Sequence, residues 1–357
     1  MLNHLKTVKP LNYLLIGFPL AVLGSLLNWN ASFNFVAACI GLIPLAGLIG
    51  EATEAISVVT GPKIGGFLNA TLGNAAELII TIVAIKAGLL DLVKASITGS
   101  IIGNLLLVTG FSVLLGGLKN GTQRFNRAHA ATNATMLVLA VIALSVPSLF
   151  NHTLTGNYLS IATTEAISLG VAGVMILLYI LGLIFSLRVS ESPLTHTTPS
   201  EAPRWSIRNS AFILAAATAA VVVLSEILVH AVDAVMAASG LSEFFLGIIL
   251  IPIIGNVAEH LVAVQVALKN KIELSLEIAL GSSLQIALFV APVLVFVSLL
   301  FGQQLNLVFN QFELLAVVAA VIVAVLVSSD GETNWLEGAQ LVAVYIILGV
   351  AFFFLPK

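Results

Sequence analysis

Two glutamates, Glu77 and Glu259, stand inside long apolar runs, each closing nearly the same polar phrase: Gly73-Asn74-Ala75-Ala76-Glu77 and, 182 positions later, Gly255-Asn256-Val257-Ala258-Glu259. Each phrase is followed by a second one in the same register. Gly99-Ser100 recurs as Gly281-Ser282, and the step from Glu77 to Ser100 equals that from Glu259 to Ser282, 23 residues. Carboxylates, amides and hydroxyls are hard oxygen donors. In this pattern, with Ser283 adjacent to Ser282 and with Asn104 and Gln285 one turn further on, they suit a cation or a proton rather than a nucleophilic reaction. A carboxylate at the middle of a bilayer costs about 2.5 kcal/mol or more on insertion scales, so something must offset it. The alternative is a protonated or partnered glutamate that only holds helices together, but its recurrence in one register favours function.

The elements around these residues are membrane helices. The 357 residues are 59% hydrophobic and 9% charged, with a mean hydropathy of +1.11, far from the roughly one quarter charged residues of soluble domains. Cys39 is the single cysteine, so neither an internal disulfide nor a thiolate metal pair is available. A span needs about 20 mostly apolar helical residues. Eleven such runs are expected, near 11–28, 33–59, 66–88, 90–118, 127–150, 160–187, 207–238, 242–268, 272–301, 307–328 and 334–355. The N-terminal run reads as a retained span rather than a cleaved signal.

Lysine and arginine favour the cytoplasmic side. With the N-terminus inside, the inner segments hold Lys6, Lys9, Lys63, Lys119, Arg124, Arg127, Arg188, Arg204, Arg208, Lys269 and Lys271, and the outer side only Lys86, Lys94 and Lys357. The last inner loop, with Asp330, Glu332 and Glu337, is the one inner connection without a basic residue, and the C-terminus is expected outside. Short loops and few extensions suit a prokaryotic plasma membrane.

Ser190 to Ser206, with Pro193, Pro199 and Pro203, is the longest polar stretch and lies between the copies. It divides the chain into an additional N-terminal helix (1–30), a first five-helix copy (31–189), a cytoplasmic linker (190–206) and a second copy (207–357). Five is odd, so the second copy must enter the membrane with opposite polarity. The expected fold is an all-α integral membrane protein with two inverted-topology repeats, whose binding site belongs at the midplane between them.

Glycine and proline before each carboxylate (Leu72-Gly73-Asn74; Pro252-Ile253-Ile254-Gly255-Asn256) weaken the helical ladder and can free carbonyl oxygens, tolerated at membrane depth where protein or a cavity satisfies them. Close helix packing is the other reading of these glycines. Asn74 and Asn256 stand between capping and ligation. Ser100, Asn104, Ser282 and Gln285 stand between ligation and interhelical hydrogen bonding. Glu54 and Glu226 form a second repeat pair that could relay protons, gate the path or simply be solvated near span ends. Glu51, His230, Asp233 and His260 rank lower.

These residues resemble the signature repeats of the cation/proton exchangers, the Ca²⁺/H⁺ antiporters of the calcium:cation antiporter superfamily. The likeness covers nearly the whole chain. Gly73-Asn74-Ala75-Ala76-Glu77-Leu78 with Gly99-Ser100 and Asn104 is similar to the first motif of that family; Gly255-Asn256-Val257-Ala258-Glu259-His260 with Gly281-Ser282-Ser283-Leu284-Gln285-Ile286 is similar to the second. The linker departs from the pattern, since it carries Glu191 and Glu201 but lacks a dense acidic run.

The resemblance implies exchange of Ca²⁺ for H⁺. Ca²⁺ takes about 6–8 oxygen ligands, which two carboxylates with amide, hydroxyl, carbonyl and water oxygens supply, whereas zinc or copper would want histidine or cysteine. The expected metal-site residues are Glu77, Glu259, Asn74, Asn256, Gly73, Gly255, Ser100, Asn104, Ser282 and Gln285; Glu77, Glu259, Glu54 and Glu226 are expected to couple protons. When the ion leaves, two buried like charges remain, and protons take its place. Sodium-coupled relatives carry a Thr-Ser-x-Pro-Glu pattern where this chain has Gly73 to Glu77. Na⁺/Ca²⁺ exchange, transport of Mn²⁺ and a passive cation channel stay as alternatives. No Gly-x-Ser-x-Gly elbow or His-Glu-x-x-His pair argues for an enzyme. Ca²⁺ and H⁺ are the expected substrates and the lipid bilayer the surroundings; no resident cofactor and no nucleic-acid partner are expected, and a homo-oligomer stays open.

Overall fold

The computed structural model describes residues 10–153, 160–188 and 205–355. Lys6, Lys9, Glu191, Glu201, Arg204, Lys357 and nearly all of the linker lie outside the described residues. The rest is almost entirely helical. A 3₁₀ segment, Pro10–Ile16, leads into α1 (Gly17–Leu26). There follow α2 (Ala31–Leu72), α3 (Ala75–Lys86), α4 (Leu90–Asn120), α5 (Arg127–Thr153) and α6 (Ile161–Arg188). Beyond the linker come α7 (Ile207–Ser239), α8 (Glu243–Leu268), α9 (Ile272–Leu300), α10 (Gln311–Val327) and α11 (Trp335–Phe353).

Among the described residues eight helices are long and apolar enough to cross a membrane: α2 over Ala31–Thr60, α4 to α9, and α11. Leu11–Leu26 and Gln311–Val327 are shorter apolar helices. Outward-facing Ile142, Phe150, Leu177, Phe185, Leu326 and Ile347 are more than 50% exposed, as a lipid-facing surface requires.

Short polar residues start several of the helices. Asn30 accepts from the Ser32 amide, Ser206 from Asn209 and Ser242 from Phe245, while Asn310 with Glu313 and Asn334 with Glu337 form complete capping boxes. Connections as short as 87–89 and 269–271 make successive helices antiparallel neighbours.

Contacts sort the loops into two ends. At one, Gln123 and Asn120 donate to the Ala267 carbonyl at 3.2 Å, and Gln123–Arg124 pairs antiparallel with Glu332–Thr333. At the other, Lys94 donates to Asn306 at 3.0 Å and the Leu92 amide to Glu243 at 3.1 Å. Lys119, Arg124, Arg127, Lys269 and Lys271 belong to the first end and Lys86 and Lys94 to the second. The acidic loop without a basic residue of its own is served across this end by Arg124, whose Nε lies 3.5 Å from Glu332.

The helices that carry the two signatures differ. The chain turns at Gly61 (φ +85°), between the runs expected over 33–59 and 66–88, and resumes a helix to Leu72; the run over 66–88 is then broken at Asn74, which leaves helical geometry before α3. α8, by contrast, is continuous through Gly255 and Asn256, so the loosened backbone expected there is not formed. The proline acts one turn earlier. Pro252 has no N–H for the Ile248 carbonyl, and the ladder widens into a π turn over Leu246–Leu250. The Ile248 carbonyl instead packs on Gly99 of α4, where any Cβ would overlap it. Glycine at 99 thus lets the two helices touch through backbone. Matching π turns occupy Gly103–Val108 in α4 and Ile286–Val290 in α9, the first supported by Thr109 Oγ1 donating to the Asn104 carbonyl at 2.9 Å and the second preceding Pro292.

Candidate functional site

The breaks and turns bring α3, α4, α8 and α9 together around the two signature carboxylates. Ending α2 at Leu72 makes Glu77 a first-turn residue of α3, buried to 2% exposure. Ser100 of α4 donates its hydroxyl to Glu77 Oε1, and Asn256 of α8 lies 3.4 Å from that hydroxyl while facing the same carboxylate. The second copy repeats this arrangement. Ser282 of α9 faces Glu259 and donates to Asn74 Oδ1 at 3.1 Å. In each copy a serine serves its own glutamate and meets the asparagine of the other copy.

The remaining amides close the set. Asn74 donates to Gln285 Oε1 at 2.8 Å and Asn104 to Ser282 Oγ at 3.0 Å. His260 Nε2 lies 3.1 Å from Asn104 Oδ1. The glycines are reciprocal too: a Cβ on Gly73 would come within 3.8 Å of Glu259 Oε1, and one on Gly255 within 3.8 Å of Glu77 Cβ. Both are ordinary contact distances, so they show that each glycine lies beside the glutamate of the opposite copy, and Gly255, inside a continuous helix, frees no carbonyl.

Two features give this set its chemistry. Glu77 Oε2 is buried with no hydrogen-bond partner, an arrangement stable only when a proton or a cation completes it. Glu259 is less completely buried than Glu77. The oxygen donors here, two carboxylates with the side chains of Ser100, Ser282, Asn74, Asn104, Asn256 and Gln285, fit a hard cation such as Ca²⁺.

Glu54 and Glu226 lie apart from this set. Glu54 is on an exposed face of α2, shortly before Gly61, and Glu226 of α7 is 3.5 Å from Lys86 at the end of α3. His260, ranked low from sequence, is the residue missed. Its signal was its place directly after Glu259 in the signature.

The family model for the sodium/calcium exchanger protein matches the chain twice, over residues 31–188 and 209–354. The chain is 45% identical over 362 residues to a Ca²⁺/H⁺ antiporter of Aphanothece halophytica, covering 96% of each chain. It is also 45% identical to the Ca²⁺/H⁺ antiporter ChaA of Bacillus subtilis, covering 95% of this chain and 97% of that one. The structure of native YfkE superposes with a TM-score of 0.85 at 42% identity over 97% of this chain and all of that one. A structure of the H⁺/Ca²⁺ exchanger CAX, 15% identical, shares the fold with a TM-score of 0.74 over 96% of this chain and 91% of that one. The chain belongs to the sodium/calcium exchanger protein family and, within it, to the Ca²⁺/H⁺ antiporters.

Proposed function

We propose that this protein is a secondary antiporter that exchanges Ca²⁺ for H⁺ across a membrane, both ions competing for the Glu77–Glu259 site. One observation carries the reading: Glu77 is fully buried among apolar helices with one carboxylate oxygen unpartnered, next to a second carboxylate supplied by the other copy. Such a pair is neutralised by one divalent ion or by protons, and the two loads exclude each other. Alternating access then moves whichever is bound. The names of the relatives, Ca²⁺/H⁺ antiporters from two bacteria, favour protons over Na⁺ as the counter-ion.

The finer reading has eleven crossings, with Leu11–Leu26 and Gln311–Val327 spanning despite their length and α3 crossing together with the end of α2. The first helix is an addition, and residues 31–189 and 207–357 are inverted repeats joined by a cytoplasmic linker. The double match of the family model and the reciprocal contacts of the two signatures support the repeat. The end bearing Lys119, Arg124, Lys269 and Lys271 is cytoplasmic by the excess of basic residues, in a prokaryotic plasma membrane, with the C-terminus outside. Glu54 and Glu226 serve as access carboxylates on the paths from the two ends to the central pair. The work is transport, with no covalent step and no resident cofactor.

Replacing Glu77 or Glu259 by Gln keeps shape and hydrogen bonding but removes the charge that either ion must neutralise. Exchange in proteoliposomes falls to the level of empty vesicles in each variant; retained exchange in either removes that carboxylate from the site.

A further inference from the structure

A second cluster of polar groups lies between the copies, away from the transport site. Where α5 meets α9, at the end that carries Lys119 and Lys269, a cavity is lined by Phe125, Asn126, His129, Asn133, Glu273 and Glu277. One donor atom from each of His129, Glu273 and Glu277 lies within 4.8 Å of the others. Four of the polar side chains form two i, i+4 pairs, His129 with Asn133 and Glu273 with Glu277, so each pair shares one helix face. Two atoms in the cavity wall are buried without a hydrogen-bond partner: His129 Nδ1, and Oδ1 of Asn133, a residue 2% exposed. His129 Nδ1 stands 3.6 Å from Glu273 Oε1, too far for a hydrogen bond. Buried polar atoms of this kind are paired in native proteins, with protein, water or an ion.

The internal repeat offers a control. Asn126 caps α5 as Asn310 caps α10, and counting from these caps His129 corresponds to Glu313 and Asn133 to Val317. Counting from the signatures, Glu273 corresponds to Asp91, Leu276 to Lys94 and Leu280 to Thr98. The equivalent cavity at the other end, between α4 and α10, is lined by Thr98, Phe309, Glu313 and Val317. There the ammonium of Lys94 lies in electrostatic reach of Asp91 and Glu313 and donates to Asn306. That interface holds its own cation. The α5–α9 interface has Leu276 at the lysine position, and two carboxylates face an imidazole and an amide oxygen instead.

We propose that His129, Glu273 and Glu277, with Asn133 Oδ1 as a further donor, form a second cation site that is not on the transport path and takes a divalent first-row transition ion of the Zn²⁺ or Mn²⁺ kind. The ion stands in for the ammonium that Lys94 supplies at the repeat-related position. An imidazole beside two carboxylates suits such ions, whereas Ca²⁺ selects oxygen donors alone. Because its ligands come from α5 of the first copy and α9 of the second, the bound ion ties the copies together at this end. It stabilises the arrangement of the helices described here, as any ligand does for the state that binds it.

The test is Zn²⁺ binding to the purified full-length chain, by equilibrium dialysis with saturating Ca²⁺ filling the transport site, alongside thermal unfolding. The native chain binds one Zn²⁺ and melts at higher temperature with it. Affinity drops about 10-fold or more in Glu277→Gln and in His129→Ala, the scale on which losing even an outer partner of a metal ligand acts. Leu276→Lys, which installs the lysine of the other interface, also removes Zn²⁺ binding, and zinc-free Ca²⁺/H⁺ exchange by Glu277→Gln matches the native rate. No Zn²⁺ bound by the native chain, or unchanged affinity in both Glu277→Gln and His129→Ala, overturns the proposal.

Discussion

At the scale of single residues the central feature is a glutamate with a vacant oxygen. Glu77 accepts from Ser100 and faces Asn256, yet Oε2 has no partner, and the carboxylate that would repel it is the one the second copy provides. The hydroxyl is a tuning contact rather than a charge. Ser100→Ala therefore weakens Ca²⁺ binding about 10-fold, equivalent to roughly 1.4 kcal/mol, on the scale of a lost hydrogen bond to a charged group. Calorimetry on the purified protein measures this, and an unchanged affinity removes Ser100 from the site. Of the residues here, the glutamates, serines and amides were legible in the sequence because the repeat places each twice. His260 was not, because Leu78 occupies its place in the first copy and the repeat gives no second instance.

Among the helices, what was legible was their apolar lengths. Most of the apolar runs became helices, and Asn30, Ser206, Ser242, Asn310 and Asn334 cap their beginnings, but the run over 66–88 did not form one continuous helix. The breaks were less legible. A glycine before a carboxylate interrupts the helix at Gly73–Asn74 but not at Gly255–Asn256, because a weak helix former breaks only where its neighbours stabilise the alternative. The π turns are invisible to hydropathy, since one extra residue in a turn leaves composition unchanged. Pro252 and Pro292 were their only marks, and the turn in α4 has none. The contact of Gly99 with the Ile248 carbonyl yields a prediction: Gly99→Ala costs at least about 1–3 kcal/mol, the range for overpacking, because the obstructing atom belongs to backbone and cannot rotate aside. Thermal unfolding in detergent reads this directly. A variant as stable as the native protein contradicts the close crossing of α4 and α8.

On the scale of the whole molecule, each of the two signatures brings one carboxylate to the central cluster, Glu77 buried to 2% exposure and Glu259 less completely. The sidedness proposed from the basic residues can be tested at the two ends defined by the loops. With Cys39 replaced by Ser, a cysteine at Asn120 reacts with a membrane-impermeant maleimide only from the cytoplasmic side and one at Gln303 only from outside; the reverse pattern inverts the orientation. Proton competition also fixes the sign of the pH effect. Protonated carboxylates cannot hold Ca²⁺, so apparent Ca²⁺ affinity falls as pH falls, by about 10-fold per pH unit for each proton displaced within the titrating range. Affinity independent of pH between 6 and 8 would separate proton binding from the Ca²⁺ site.

The most direct measurement is Ca²⁺ uptake into proteoliposomes with the membrane potential clamped, driven in turn by a pH gradient and by a Na⁺ gradient. Uptake with the pH gradient alone, abolished in Glu77→Gln, is the result expected of two ions competing for one carboxylate pair. Uptake driven by Na⁺ without a pH gradient, or Ca²⁺ flux that needs neither gradient, would contradict it.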